Sequence, residues 1–279
     1  VATIAEALRD ATARLQHRAE ARLEAEVLLA HVLGKARSHL HAWPDAALEP
    51  AQLVRYRDLV GQRAAGRPVA HLTCQREFWS LTLSISSDTL IPRPETETLV
   101  EQALALLPGG SGLAVADLGT GSGAIALALA SERRHWRLLA VDRSMACLAV
   151  ARANAQRLDL GNVAFLQGNW CDALATHSLD AIVSNPPYVA AADPHLDQGD
   201  VRFEPRSALV AGERGLDDLL RLIDTAPRVL KPGGWLLVEH GADQGKALQE
   251  RLKACHFRHI TLIQDLAGRD RVSAAQARA

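Results

Sequence analysis
The chain has 279 residues, 48% of them hydrophobic and 23% charged, enough for one large domain and a smaller one. A formal net charge of -1 excludes a protein whose affinity comes from blanketing a nucleic-acid backbone with cations, although local basic patches stay compatible with it. Cys74, Cys147, Cys171 and Cys255 stand apart without ligand spacing, so reduced thiols are expected, with neither a disulfide framework nor a metal site.

Val1 to Asp10 is amphipathic and carries Glu6 and Asp10, unlike a signal peptide, and the uncharged run Leu118 to Ala130 is broken by glycines. No membrane segment is expected, and a cytoplasmic location is. Thr3-Ile4-Ala5-Glu6 has capping-box spacing, and Ile4, Leu8, Ala11 and Leu15 follow on one helical face. A second helix carries Leu23, Val27, Ala30 and Leu33 and stops at Gly34. A third runs through Leu40 to Trp43-Pro44, and a fourth enters near Pro50 and leaves at Gly66. Residues 1–75 thus read as a small helical bundle without a catalytic constellation. Arg55, Arg57, Arg63 and Arg67 read as a solvated face, while the bundle as a whole suits recognition of a macromolecular substrate.

From Glu77 the period changes to two, with Trp79, Leu81, Leu83 and Ile85 alternating with Ser80, Thr82, Ser84 and Ser86. This predicts a strand within a hairpin linker over residues 76–93. Pro94 suits the first turn of a helix carrying Leu99, Ala103 and Leu106 up to Pro108-Gly109-Gly110. Strands then alternate with helices: Leu113 to Leu118, a helix from Gly123, Leu138 to Val141, a helix from Ser144, Val163 to Leu166, and Ala181 to Val183. After a polar loop from Asp193 to Glu213 come a helix (Leu216 to Val229), a strand (Trp235 to Val238), a helix (Gln244 to Ala254) and a strand (Ile260 to Ile263). That order predicts an α/β fold with a doubly wound, mostly parallel Rossmann-like sheet over residues 94–279.

Asp117-Leu118-Gly119-Thr120-Gly121-Ser122-Gly123-Ala124 joins strand to helix, and glycine lets a nucleoside cofactor lie against backbone N–H groups at a helix start. Gly119, Gly121 and Ala124 also satisfy the dinucleotide fingerprint, so NAD stays open on this loop alone. Asp117 would repel a pyrophosphate and suits the cationic amino-acid end of S-adenosylmethionine. Asp142, ending the next strand, reads either as a ribose acceptor or as a helix cap. Asn169 and Trp170 follow the third strand, where they could bracket an adenine edge and face; Trp170 reads equally as core.

Ser184-Asn185-Pro186-Pro187-Tyr188 follows the buried run Ala181-Ile182-Val183. Proline fixes its own φ and pushes the residue before it into extended backbone, so Asn185 and Pro186 are held stretched. The Asn185 side-chain oxygen and the Pro186 carbonyl can take both hydrogens of a planar NH2 group, with the Tyr188 ring as a flat face to stack on it. The alternative is that two prolines merely end a strand. Glu239 and His240 read as a structural strand-terminal pair rather than an acid and a base.

With the Asp-x-Gly-x-Gly-x-Gly loop, Asp142, Asn169-Trp170 and Asn185-Pro186-Pro187-Tyr188 in this order, the chain resembles class I S-adenosylmethionine methyltransferases of the amino-methylating group. More closely it resembles the peptide-chain-release-factor glutamine N5-methyltransferases. The likeness extends to Pro68 to Thr73, Arg76 to Trp79, Ile91 to Glu97 and Gln198 to Pro205, which are more specific than the glycine loop. The resemblance implies a methyltransferase sheet, and methyl transfer from S-adenosyl-L-methionine, leaving S-adenosyl-L-homocysteine. The acceptor it implies is the glutamine amide of the Gly-Gly-Gln motif in bacterial class 1 release factors, with no direct nucleic-acid partner. By position it assigns cofactor contacts to Gly119, Thr120, Gly121, Ser122, Gly123, Asp142, Trp170 and Asn185, and the substrate glutamine to Asn185, Pro186, Pro187 and Tyr188. One departure is the end, where Arg271-Val272-Ser273 runs into Ala274 to Ala279 rather than a clearly apolar last strand. On the residues alone, an adenine-N6 nucleic-acid methyltransferase remains the nearest rival, because an exocyclic amine fits the same acceptors. A non-catalytic nucleotide-binding regulator is the rival of another class.

Overall fold
The structure, a computed structural model, describes residues 2–110 and 112–278. The chain divides into two compact units, Val1–Gln75 with Asp197–Phe203, and Arg76–Leu196 with Glu204–Ala279.

The first unit contains α1 (Ile4–Arg14), α2 (Ala21–Leu33), α3 (Arg37–Ala42), α4 (Pro50–Ala64) and α5 (Val69–Thr73). The capping box forms: the Thr3 hydroxyl accepts from Glu6 N at 3.2 Å and the Glu6 carboxylate from Thr3 N at 2.9 Å. Gly34 ends α2 in the left-handed region, as a C-terminal glycine should. The apolar stripes meet in a core built on Leu8, Leu15, Leu28, Leu29 and Tyr56. Arg55, Arg57 and Arg67 are exposed, but Arg63 departs from the expected solvated face and is 3% exposed. Burying a guanidinium requires partners, and it donates to Glu24 at 2.6 Å and to Asp200 at 2.7 Å. Asp200 thereby fastens the remote segment Asp197–Phe203 into the helical unit, a join that no local pattern announces.

The second unit opens with a hairpin of β1 (Gln75–Phe78) and β2 (Leu81–Ser84). The alternating pattern overruns the turn, because Trp79 and Ser80, expected in a strand, have φ of 52° and 57° and form the corner. Tertiary bonds hold them there: Trp79 N donates to Glu97 at 2.8 Å and its indole N–H to Glu132 at 2.8 Å. A 3-10 turn at Pro94–Thr96 leads into α6 (Glu97–Leu106).

The sheet contains β3 (Ala114–Leu118), β4 (Arg137–Asp142), β5 (Val163–Gln167), β6 (Leu179–Ser184), β7 (Leu230–Glu239), β8 (Arg258–Gln264) and β9 (Asp270–Gln276). Its helices are α7 (Ala124–Glu132), α8 (Met145–Arg157), α9 (Asp217–Val229) and α10 (Gly245–Ala254). The strand order is β5-β4-β3-β6-β7-β9-β8, with β9 antiparallel to both neighbours. The alanine-rich end is therefore a strand after all. Inserted between β7 and β8, it is buried with small side chains, and Ala274 and Ala275 are fully enclosed. The chain turns to opposite sides of β3 to lay down β4 and β6, which makes the crevice beyond their carboxyl ends the place where such sheets bind ligands. No helix among the described residues is long and apolar enough to cross a membrane.

Candidate active site
Three glycines shape the loop after β3 for three different reasons. Gly119, at φ +74°, lies under the Trp170 indole, whose ring an added Cβ would meet at 3.2 Å. Gly121, at φ +56°, has nothing within 4 Å of an added Cβ and leaves open room. Gly123, at φ +88°, lets the start of α7 pack against Leu127 and Ala151, which a Cβ would meet at 3.0 and 3.1 Å. Asn154 on α8 braces the loop by donating to Ser122 O and Ser84 O, each at 3.0 Å. The loop's own N–H groups are mostly engaged: Gly119 and Thr120 donate to Val141 O, Gly121 to Asp142 and Gly123 to Thr120 O. Shape, more than a row of free donors, is what these residues offer.

Asp117 is fully buried and turned into the loop rather than toward the cavity. Its Oδ2 accepts from the Thr120 hydroxyl at 2.6 Å and from Ala126 N at 3.1 Å, while Oδ1 is buried without a hydrogen bond. Burial pushes this carboxyl up to about 7 against the pull of those two donors, with the Asp142 charge adding to the rise. The folded state thus binds the proton more tightly than the unfolded chain. The stability this gives is complete below the ordinary carboxyl value of 3.8 and is lost as pH rises through about 7. Asp117→Asn can keep both hydrogen bonds through its amide oxygen without the buried charge. Subtracting its melting temperature from wild type at about pH 5 and about pH 8 should show wild type losing ground at the higher pH.

A cavity of about 240 Å³ lies beside the loop, lined by Gly121, Asp142, Asn169, Trp170, Asn185 and Pro187, among others. Asp142 accepts from Gly121 N at 2.9 Å with one oxygen and from Ser144 N at 2.8 Å with the other, so it organises both the glycine loop and the start of α8. Turned to satisfy both its ends, the Asn169 amide accepts from the Arg221 guanidinium at 3.0 Å. Trp170, at φ 51°, donates its indole N–H to Asp218 at 3.1 Å. Asp218 itself lines the cavity, and burial pushes its carboxyl up while the Trp170 bond draws it down. Nothing in the sequence distinguished it from an ordinary acid in a helix's first turn.

The proline corner sits at the end of β6, where the Ser184 hydroxyl donates to Leu118 O at 2.6 Å and ties it to β3. Asn185 Nδ2 donates to Thr96 Oγ1 at 3.1 Å, which leaves Oδ1 as its available acceptor. Asn185 and Pro187 line the cavity, whereas Pro186 is buried beside it. The Tyr188 hydroxyl donates to Glu239 at 3.2 Å, and its carbonyl accepts from Gln244 at 3.0 Å. Thr96, from the Ile91 to Glu97 segment, also lines the cavity. That segment is fixed by Glu204, whose buried carboxylate accepts from Ile91 N at 2.9 Å and from the Arg93 guanidinium. Two of the linking motifs therefore clasp each other through Glu204, and Pro92 and Pro205 from either side of the clasp form cavity wall.

A family model described as the PrmC N-terminal domain matches residues 6–73, and one described as a methyltransferase domain matches residues 110–273. A release factor glutamine methyltransferase of Shewanella oneidensis is 48% identical over 269 residues, 96% of this chain and 94% of that protein. One from Xylella fastidiosa is 52% identical over 252 residues, 90% of this chain and 92% of that one. Among solved structures, a methyltransferase from Pyrococcus furiosus superposes with a TM-score of 0.54 at 16% identity, covering 80% of this chain and 98% of that one, which speaks for the fold. Matched along nearly its whole length, the chain belongs to the release factor glutamine methyltransferase family.

Proposed function
We propose that this protein transfers the methyl group of S-adenosyl-L-methionine to the side-chain amide nitrogen (N5) of the glutamine in the Gly-Gly-Gln motif of bacterial class 1 release factors. The observation that carries the reading is the engagement of Asn185 Nδ2 by Thr96, which leaves a fixed acceptor oxygen at a cavity beside a glycine loop. The helical unit serves in this reading as the recognition module for the protein substrate, and the cytoplasm as the compartment.

The residues present fit the cofactor. Open room at Gly121 admits it against the loop, and Asp142 keeps a second lone pair on each oxygen for ribose hydroxyls. Trp170 offers a ring face for adenine, and the carboxylates at the cavity suit a cationic guest. When bound, S-adenosylmethionine supplies an electrophilic methyl group. An amide nitrogen is a weak nucleophile because its lone pair is delocalised into the carbonyl, so positioning must contribute most of the rate. Asn185 Oδ1 and the Pro186 carbonyl accept the two amide hydrogens and stabilise positive charge as it develops on nitrogen. Tyr188 stacks on the amide plane, and the surplus proton leaves to water.

The test is labelled S-adenosylmethionine offered with a release factor, with the same factor carrying Gly-Gly-Ala, and with DNA or RNA. Label in the intact factor alone is expected. Label in nucleic acid, or in neither, rejects the proposal.

A further inference from the structure
An amide side chain can present either its oxygen or its nitrogen to a guest, and only the oxygen can hold an NH2 group. Something must therefore choose the orientation of Asn185. Thr96 is its immediate partner, but a hydroxyl both donates and accepts, so on its own it would take either end of the amide. Near the Thr96 hydroxyl lies Glu239, at the carboxyl end of β7 and 1% exposed. Its Oε1 accepts from the Tyr188 hydroxyl at 3.2 Å. Its Oε2 is buried without a hydrogen bond, and the Thr96 hydroxyl near the carboxylate favours the ionised form. The neighbouring His240 faces elsewhere, its ring bonded to Gly241 O and Ser273 Oγ.

We propose that Glu239 is a positioning residue which, through Thr96, sets the Asn185 amide oxygen toward the cavity and anchors Tyr188 in the same shell. An ionised carboxylate only accepts, so the Thr96 O–H turns toward Glu239 and its lone pair faces Asn185. Asn185 must then bring Nδ2 to Thr96, the 3.1 Å bond observed, and present Oδ1 to the substrate. A protonated Glu239 could donate to Thr96, which could then donate to Asn185 and turn the wrong end of the amide outward. This inference rests on the amide-methylating reading above.

Burial pushes the Glu239 carboxyl up to about 7, while Thr96, Arg271 on β9 and the Tyr188 hydroxyl draw it down and Glu95 adds to the rise. Wild-type kcat, measured with a release factor and saturating cofactor, should therefore rise with pH through about 7. Glu239→Gln can donate as well as accept, so kcat at about pH 8 should fall at least about tenfold and lose that pH limb. Asp117 titrates in the same range but is present in both proteins. KM and cofactor affinity should stay near wild type and the melting temperature should not fall below it, because the amide removes a buried charge, whereas a merely structural defect would lower it. Thr96→Val should reproduce the loss and Thr96→Ser should restore activity, which decides the matter should Glu239→Gln fold poorly. Wild-type kcat and an unchanged pH limb in Glu239→Gln would overturn this inference alone. Absence of transfer by the wild-type protein would overturn the functional reading and this inference with it.

Discussion

Replacing Asn185 by alanine is expected to lower turnover at least about a hundredfold, the scale of losing one preorganised polar contact in a transition state, while cofactor affinity stays almost unchanged. The asymmetry follows from geometry. Asn185 is held from behind by Thr96 at 3.1 Å and from below by the β6 strand, itself tied to β3 through Ser184. Its acceptor oxygen is therefore fixed before any substrate arrives. Alanine removes that oxygen and leaves the Thr96 hydroxyl without its donor. The cofactor's expected contacts are spread over the glycine loop, Asp142 and Trp170, so losing one among them changes binding little. Single-turnover transfer to a release factor, alongside calorimetric titration of the cofactor, separates the two effects. Near-normal transfer would remove Asn185 from its role, and a parallel fall in both would recast it as a cofactor contact.

Where an element's reason lay in its own residues, the sequence announced it. The capping box at Thr3, the glycine stop at Gly34, the loop around Gly121 and the strand-helix alternation all follow from local patterns. The last strand did not, because alanines buried on both faces between β7 and β8 leave neither amphipathic alternation nor a bulky apolar run to read. The Trp79-Ser80 corner was hidden for the opposite reason: its residues fit the strand pattern, and its positive φ values are held by Glu97 and Glu132 from far along the chain. At the candidate site, Asn185 was legible because two prolines follow its strand end, and Asp142 because it ends the strand next after the glycine loop. Thr96, Asp218 and Glu239 were not, since each matters through a partner distant in sequence: Asn185, Trp170 and Tyr188. Asp117 lay between these cases. Its acid before the glycines was conspicuous, but its inward turn to Thr120 and Ala126 depends on the loop's three-dimensional path.

Gly215→Ala should destabilise the protein by about 3 kcal/mol, from left-handed backbone strain together with steric overlap. For a large domain, where each kcal/mol lowers the melting temperature by about 2–4 °C, this amounts to a drop of about 10 °C. Gly215 has φ +68°, and an added Cβ would lie 2.3 Å from Tyr188 O, 2.9 Å from Tyr188 C and 3.0 Å from Ala190 N. These are backbone atoms, which cannot swing aside as a side chain can. They are also pinned: Gln244 bridges Tyr188 O and Gly215 O at 3.0 and 3.1 Å, and Val189 bonds with Leu209 and Ala211 on the other side. Relief must come from moving the chain just after the two prolines, which would pull the Tyr188 hydroxyl from Glu239 and spoil the corner that Asn185 begins. Turnover should therefore fall further than the lost stability alone accounts for, even at temperatures where the variant is folded. Gly34→Ala isolates the conformational part, because Gly34 has φ +62° with nothing within 4 Å of an added Cβ. It should cost only about 1 kcal/mol, the left-handed backbone penalty by itself, and leave transfer intact. Thermal melts and transfer rates of the two variants side by side check the argument. Equal melting temperatures with normal transfer in both would mean that the chain around Tyr188 yields freely, and that the proline corner is not the rigid element on which the proposed chemistry depends.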